Sequence, residues 1–122
     1  MKISFITGAA NGLGKEFAVL YGKDHNNLLL VDIDEAALSS VKEELGNMYP
    51  DIYIDIIVAD LAKEEELKRV YAYTVEKGYF VNNVVNAAGF GDRCDFKDMD
   101  IDKQLKMTYV DCNAVLYFTR KW

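Results

Sequence analysis

A chain of 122 residues is long enough for one domain with a buried core. Its 51% hydrophobic and 28% charged composition is that of an ordinary globular protein. A net charge of −6 speaks against a nucleic-acid partner, because phosphate backbones are gripped by basic faces. With one proline, Pro50, and no low-complexity stretch, a second domain is not expected. Cys94 and Cys112 make neither a C-x-x-C pair nor a metal set. They are expected as buried free thiols in a reducing cytoplasm. The apolar N-terminal run is too short for a signal-peptide core or a membrane span.

Residues 2–7, KISFIT, read as a strand that ends at Gly8. Over residues 12–22, Leu13, Phe17, Leu20 and Tyr21 recur at helical spacing, with Gly22 as the expected stop. Residues 28–33, LLLVDI, are continuously apolar up to Asp32, the pattern of a strand buried on both faces of a parallel sheet. The following helix is expected to be capped by Asp34, to carry Glu35 in its first turn and to end at Gly46. Residues 52–59 predict a third strand. Residues 63–78 predict a third helix closed by Gly78, with its glutamates on a solvated face. A short fourth strand over 83–87 precedes a loop of about ten residues. One long helix then runs from Asp100 to Trp122. Alternating strands and helices imply a parallel sheet with right-handed crossovers. The expected architecture is a Rossmann-type α/β sheet in strand order 3-2-1-4, truncated before a fifth strand.

The turn TGAANGLG, residues 7–14, lies between the first strand and the first helix. There a helix N-terminus offers unpaired N–H groups and the positive end of its dipole. Gly8, Gly12 and Gly14 let phosphate oxygens approach those groups, so the turn suits a dinucleotide's pyrophosphate. A triphosphate loop ending at Gly14-Lys15 fails at both ends. Ala9 stands where its first glycine belongs, and Glu16 where its magnesium-binding Ser or Thr belongs. Asp32 follows the last glycine by 18 residues, counting from 14 to 32. A carboxylate there accepts hydrogen bonds from ribose hydroxyls and repels a 2′-phosphate. The next residue is Ile33, not a base, and the turn carries Asn11. The pattern favours NAD over NADP.

These motifs, in this order, resemble the classical short-chain dehydrogenases/reductases across the whole chain. TGAANGLG matches the TGxxxGxG turn of that family, and Asp60-Leu61 falls where the family edges the adenine ring. Asn86-Ala87-Ala88-Gly89 resembles the NNAG motif after the fourth strand, with Ala87 at its second asparagine. The resemblance implies that Thr7, Gly8, Asn11, Gly12, Leu13 and Gly14 hold the cofactor with Asp32, Ile33, Asp60, Leu61 and residues 86–89. It further implies catalysis by an Asn, Ser, Tyr and Lys tetrad. Asp111 occupies the asparagine position; when ionised it accepts hydrogen bonds but donates none. Asn113, two residues on, belongs to a different face of the helix.

The Ser and the Tyr-x-x-x-Lys pair are expected beyond Trp122. Tyr73/Lys77 and Tyr117/Lys121 match the spacing but precede the motif's place, and read as core aromatics with solvated lysines. His25, the one histidine, is expected on the surface, and no metal cluster is expected. Residues 1–122 therefore read as a single dinucleotide-binding domain, incomplete at its C-terminus. The implied function is the cofactor half of an oxidoreductase that moves hydride between nicotinamide and a small hydroxyl or carbonyl substrate. The alternative is a non-catalytic dinucleotide-binding or self-associating module. An open fourth strand and an underpacked long helix favour a homo-oligomer. No membrane partner is expected.

Overall fold

The computed structural model describes residues 1–89 and 100–122. Its elements are β1 (Lys2–Thr7), α1 (Gly12–Lys23), β2 (Leu28–Asp32), α2 (Glu35–Met48), β3 (Ile54–Val58), α3 (Glu64–Glu76), β4 (Phe80–Asn86), α4 (Ile101–Thr108) and α5 (Val115–Lys121). A π-helical segment, Tyr109–Ala114, joins α4 to α5. The four strands form one parallel sheet in order β3-β2-β1-β4, as the alternating pattern predicts. The expected loop after β4 and the thiol of Cys94 lie outside the described residues.

The sheet separates two apolar layers. Side chains alternate along each strand, so one face of the sheet carries Phe5, Leu29, Val31 and Ile57. They pack against Leu67 and Val70 of α3 and Phe118 of α5. The opposite face carries Ile6, Leu28, Leu30 and Ile54, covered by Ala18 of α1 and Leu38, Val41 and Leu45 of α2. This double coverage is why β2 has no polar residue before Asp32. Phe5 meets the rings of Phe118 and Trp122 at 4.8 and 4.6 Å, which anchors the terminal helix under the middle of the sheet.

Several local expectations need correction. Gly22 does not stop α1. It lies buried inside the helix, where a Cβ would come 2.9 Å from the Tyr49 ring, and the chain leaves the helix through His25 at φ 61. Gly46 does not end α2 either, which continues to Met48. The buried face of α1 is Gly14, Ala18 and Gly22, whereas Leu13, Phe17 and Leu20 are exposed. The helix sits too close to the glycine turn and to Tyr49 for large side chains, so the small residues face inward. Cys112 is exposed, not buried. It lies within the π segment, on a side of the helix that meets neither apolar layer.

Other expectations match. Asp34 Oδ1 accepts the Ala37 N–H at the start of α2 (3.1 Å). Gly78 ends α3 at φ 68. Glu64 and Glu65 are exposed, and Glu64 pairs with Lys68 one turn on. His25 is exposed and meets the Asp51 carboxylate at 2.6 Å, an interaction that lowers the Asp51 pKa. Among the described residues β4 pairs with β1 alone, and Phe80 at its start is exposed.

Candidate functional site

At the C-terminal ends of the strands lies a cavity of about 650 Å³, bounded by the turns that follow the four strands and by the long helix. Gly8, Asn11, Gly12 and Leu13 come from the first turn; Asp32 and Ile33 follow β2. Ala59, Asp60, Leu61 and Ala62 follow β3, and Ala87, Ala88 and Gly89 follow β4. Lys106 and Val110 close the cavity from the long helix. Most of the residues expected to hold a cofactor are thus brought to one place. Thr7, Gly14, Asn86 and Asp111 are not on the wall, and each stands behind it or beside it.

The first turn is built by backbone contact. Gly8 has φ 65, and a Cβ there would lie 2.7 Å from both the Ala87 carbonyl oxygen and the Ala88 nitrogen. A Cβ on Gly14 would lie 2.0 Å from the Gly8 carbonyl oxygen. No side chain fits at either position while the two turns stay this close. Lys15 N–H makes the first bond back into α1, to the Asn11 carbonyl (3.3 Å). The N–H groups of the preceding residues therefore remain at the helix N-terminus, and no acidic residue occupies the first turn of α1 to compete for them. This is a cradle for an anion next to a cavity large enough for a nucleotide. Lys15 itself pairs with Glu44 of α2 at 3.2 Å and does not line the cavity, which agrees with rejecting a triphosphate loop.

Polar side chains lock these turns together. Asp32 uses one carboxylate oxygen to accept the Ala10 N–H (3.0 Å) and the other to accept the Asp34 N–H (3.0 Å). Each oxygen keeps acceptor capacity toward the cavity. Thr7, buried beneath the turn, accepts the Ala88 N–H on Oγ1 at 3.0 Å. Asp60 Oδ1 accepts the Ala62 N–H (3.0 Å), which shapes the turn after β3. Asn86 donates to Thr119 Oγ1 (3.3 Å), tying β4 to α5. Asn83 donates to Ser4 Oγ (3.0 Å) across the β1–β4 pair.

Asp111 lies in the π segment with its Oδ1 so near Gly89 that a Cβ on that glycine would come within 2.6 Å of it. The carboxylate therefore stands beside the turn after β4, at the rim of the cavity. Asn113 lines a different groove, with Glu64, Tyr109, Tyr117 and Arg120 between α3 and the terminal helix. The two Tyr-x-x-x-Lys matches lie off the main cavity. Lys77 sits over the Tyr73 ring at 5.5 Å, and Lys121 over Tyr71 and Tyr117 at 4.8 and 5.5 Å. The lysines rest on aromatic faces, a closer association than full solvation. Among the described residues no group of three or more His, Cys, Asp or Glu could hold a metal. In the same residues no helix is long and apolar enough to cross a membrane.

Sequence reasoning missed Lys106 and Val110. They stand one helical turn apart, but which face of the long helix meets the cavity depends on how that helix docks, and no motif marks it.

A family model described as short chain dehydrogenase matches residues 2–122. The chain is 34% identical over 97 residues to an 11-beta-hydroxysteroid dehydrogenase of Pinus massoniana, covering 80% of this chain and 27% of that protein. It is 30% identical over 117 residues to 3beta-hydroxysteroid dehydrogenase 2 of Eggerthella lenta, covering 95% of this chain and 44% of that protein. Among solved structures, a short-chain dehydrogenase from Sphingobium yanoikuyae in complex with NADPH superposes with a TM-score of 0.89 at 20% identity, covering 98% of this chain and 46% of that one. The chain spans less than half the length of these relatives.

Proposed function

This chain belongs to the short-chain dehydrogenase family, and from that premise we propose that it is the nicotinamide-dinucleotide-binding part of an oxidoreductase. The reaction is hydride transfer between the nicotinamide and a small hydroxyl or carbonyl substrate. One observation carries the reading: turns from four separate strand ends meet around one cavity whose near wall is a glycine-rich helix N-terminus. In it the pyrophosphate would rest on the backbone of Gly8, Asn11, Gly12 and Leu13, with Thr7 and Gly14 holding that turn in shape. Asp32 would accept the adenosine ribose hydroxyls, and Ile33, Asp60 and Leu61 would flank the adenine. Ala87, Ala88 and Gly89 would border the nicotinamide half, with Asn86 fixing their strand to α5. The nicotinamide, once bound, would donate hydride to a carbonyl or accept it from a hydroxyl; these residues supply only position and exclusion of water.

Asp111 stands at the family's asparagine position, and we assign it the holding of a water beside Gly89. As a carboxylate it accepts that water's hydrogen bond. Residues 1–122 act as a single domain, and the apolar side chains exposed on the long helix, Ile101, Leu105 and Leu116, suit a homo-oligomer.

For the cofactor we propose NAD over NADP. The Sphingobium neighbour is described with NADPH, so its fold accommodates that cofactor too. What supports NAD here is Asp32 at the ribose end, with neither the first turn nor Ile33 offering a base. Titration of the chain with NADH and NADPH, read by nicotinamide fluorescence, should give tighter binding of NADH. Equal or reversed affinity would overturn the role of Asp32.

A further inference from the structure

Among the described residues β3 is the last strand of the sheet, paired on one side with β2. Its sequence, Ile-Asp-Ile-Ile-Val, carries three isoleucines and a valine around one charge. An unpaired row of N–H and C=O groups on such a stretch is a template for an added strand.

The ladder to β2 fixes which groups point outward. The Leu28 N–H donates to the Tyr53 carbonyl, and the Ala59 N–H donates to the Asp32 carbonyl. In a parallel pair alternate residues bond inward. Tyr53, Asp55, Ile57 and Ala59 therefore face β2, and Ile54, Ile56 and Val58 turn their N–H and C=O groups to the outside.

Two charged side chains occupy that outer row. Asp55 Oδ1 accepts the Ile56 N–H at 2.9 Å. Arg69 of α3 donates from Nη2 to the Val58 carbonyl at 2.6 Å. Both are held from behind. The other Asp55 oxygen accepts the hydroxyls of Tyr73 and Tyr79, and Arg69 Nε is bonded to Glu66, three residues back on α3.

We propose that Asp55 and Arg69 close the β3 edge, so that a second copy of this chain cannot add its own β3 to the sheet. An incoming strand needs the Ile56 N–H and the Val58 carbonyl, and both are already bonded to charged groups. It would have to break two charge-assisted hydrogen bonds and leave a carboxylate and a guanidinium against its own backbone. The surface refuses an extended strand laid along Ile54–Val58, and a homo-oligomer is left to other faces. Neither Asp55 nor Arg69 lines the cavity, so the closure is independent of any cofactor.

The first test needs no substitution. In amide hydrogen exchange followed by NMR and corrected for intrinsic rates, the Ile56 N–H should exchange about tenfold more slowly than the Val58 N–H, which points the same way without a side-chain acceptor among the described residues. Equal rates would overturn the closure at Asp55. The second test combines Asp55→Val with Arg69→Leu, replacements that suit a strand and a helix. Sedimentation should show the double variant forming a species at least twice the mass of the native one at the same concentration. Adding Val58→Pro should reverse this, because proline there removes an outward N–H, breaks no bond to β2 and obstructs an added strand. A folded double variant of native mass would overturn the proposal. So would association that Val58→Pro leaves intact, since it would come from another face. If circular dichroism shows the double variant unfolded, Arg69→Leu alone is tested in the same way, with the same two outcomes.

Discussion

The carboxylate of Asp32 bridges the end of β2 to the glycine turn, accepting the Ala10 N–H at 3.0 Å while its other oxygen accepts the Asp34 N–H. The side chain proposed to read the ribose is also a brace for the turn proposed to hold the pyrophosphate. Asp32→Ala should therefore lose both stability, by about 1–2 kcal/mol, and any discrimination between NADH and NADPH. Asp32→Asn keeps one acceptor and should retain part of the stability while still losing the discrimination. Urea unfolding of the two variants beside nucleotide titrations separates the two roles. Loss of discrimination with unchanged stability in Asp32→Ala would show that the brace contributes nothing.

Thr7 supports the other side of the same cavity. Thr7→Val keeps the volume but leaves the Ala88 N–H without its acceptor, at a cost of about 1–3 kcal/mol. Thr7→Ser, which keeps the hydroxyl, should cost less. Chemical unfolding midpoints of the two variants decide it, and equal costs would point to lost methyl packing instead.

The faces of α1 make a prediction opposite to hydropathy. Leu20→Lys, on the exposed side, should change stability by no more than about 0.5 kcal/mol. Ala18→Leu, on the buried side, should cost about 1–3 kcal/mol or more. A thermal melt of each variant is enough. A large loss in Leu20→Lys would place that side of the helix against a partner.

Legibility divided along a physical line. β2 and the strand order could be read because a strand covered on both faces has to be apolar throughout, and because alternation with helices leaves few topologies. The glycine turn could be read because backbone packed against backbone excludes side chains at fixed spacing, and Asp32 because a carboxylate closes an otherwise apolar strand. The inward face of α1 could not. Hydrophobic periodicity assumes that the largest apolar residues are buried, and here the approach of Gly14 to the Gly8 carbonyl and of Gly22 to Tyr49 reserves that face for the smallest. The π segment and the cavity position of Lys106 were also hidden, since both depend on how the long helix meets elements distant in sequence.

At the far end of β3, Asp55 accepts hydrogen bonds from the hydroxyls of both Tyr73 (2.7 Å) and Tyr79 (2.6 Å). Burial first, and then the Asp55 hydrogen bond, push the Tyr73 phenol up to about 12; Tyr79 is raised for the same reasons. A phenol whose folded pKa lies above its unfolded value near 10 adds stability that is complete below about pH 10. That stability is lost as pH rises through about 12. Phenolate absorbance should show these two tyrosines titrating after the exposed ones, and Asp55→Asn should bring Tyr73 down toward 10. An unchanged late titration in that variant would leave burial as the whole cause.

The contact of Gly8 with Ala87 and Ala88, together with the Thr7–Ala88 hydrogen bond, makes the turns after β1 and β4 a single interlocked piece. Neither can swing outward without the other. Their ordering is completed when the sheet folds, so an arriving nucleotide would give up its own freedom without also having to freeze Gly8, Ala87 and Ala88. Calorimetry of binding should then carry an entropy loss that tracks the rotatable bonds of the ligand, largely independent of loop length in the protein.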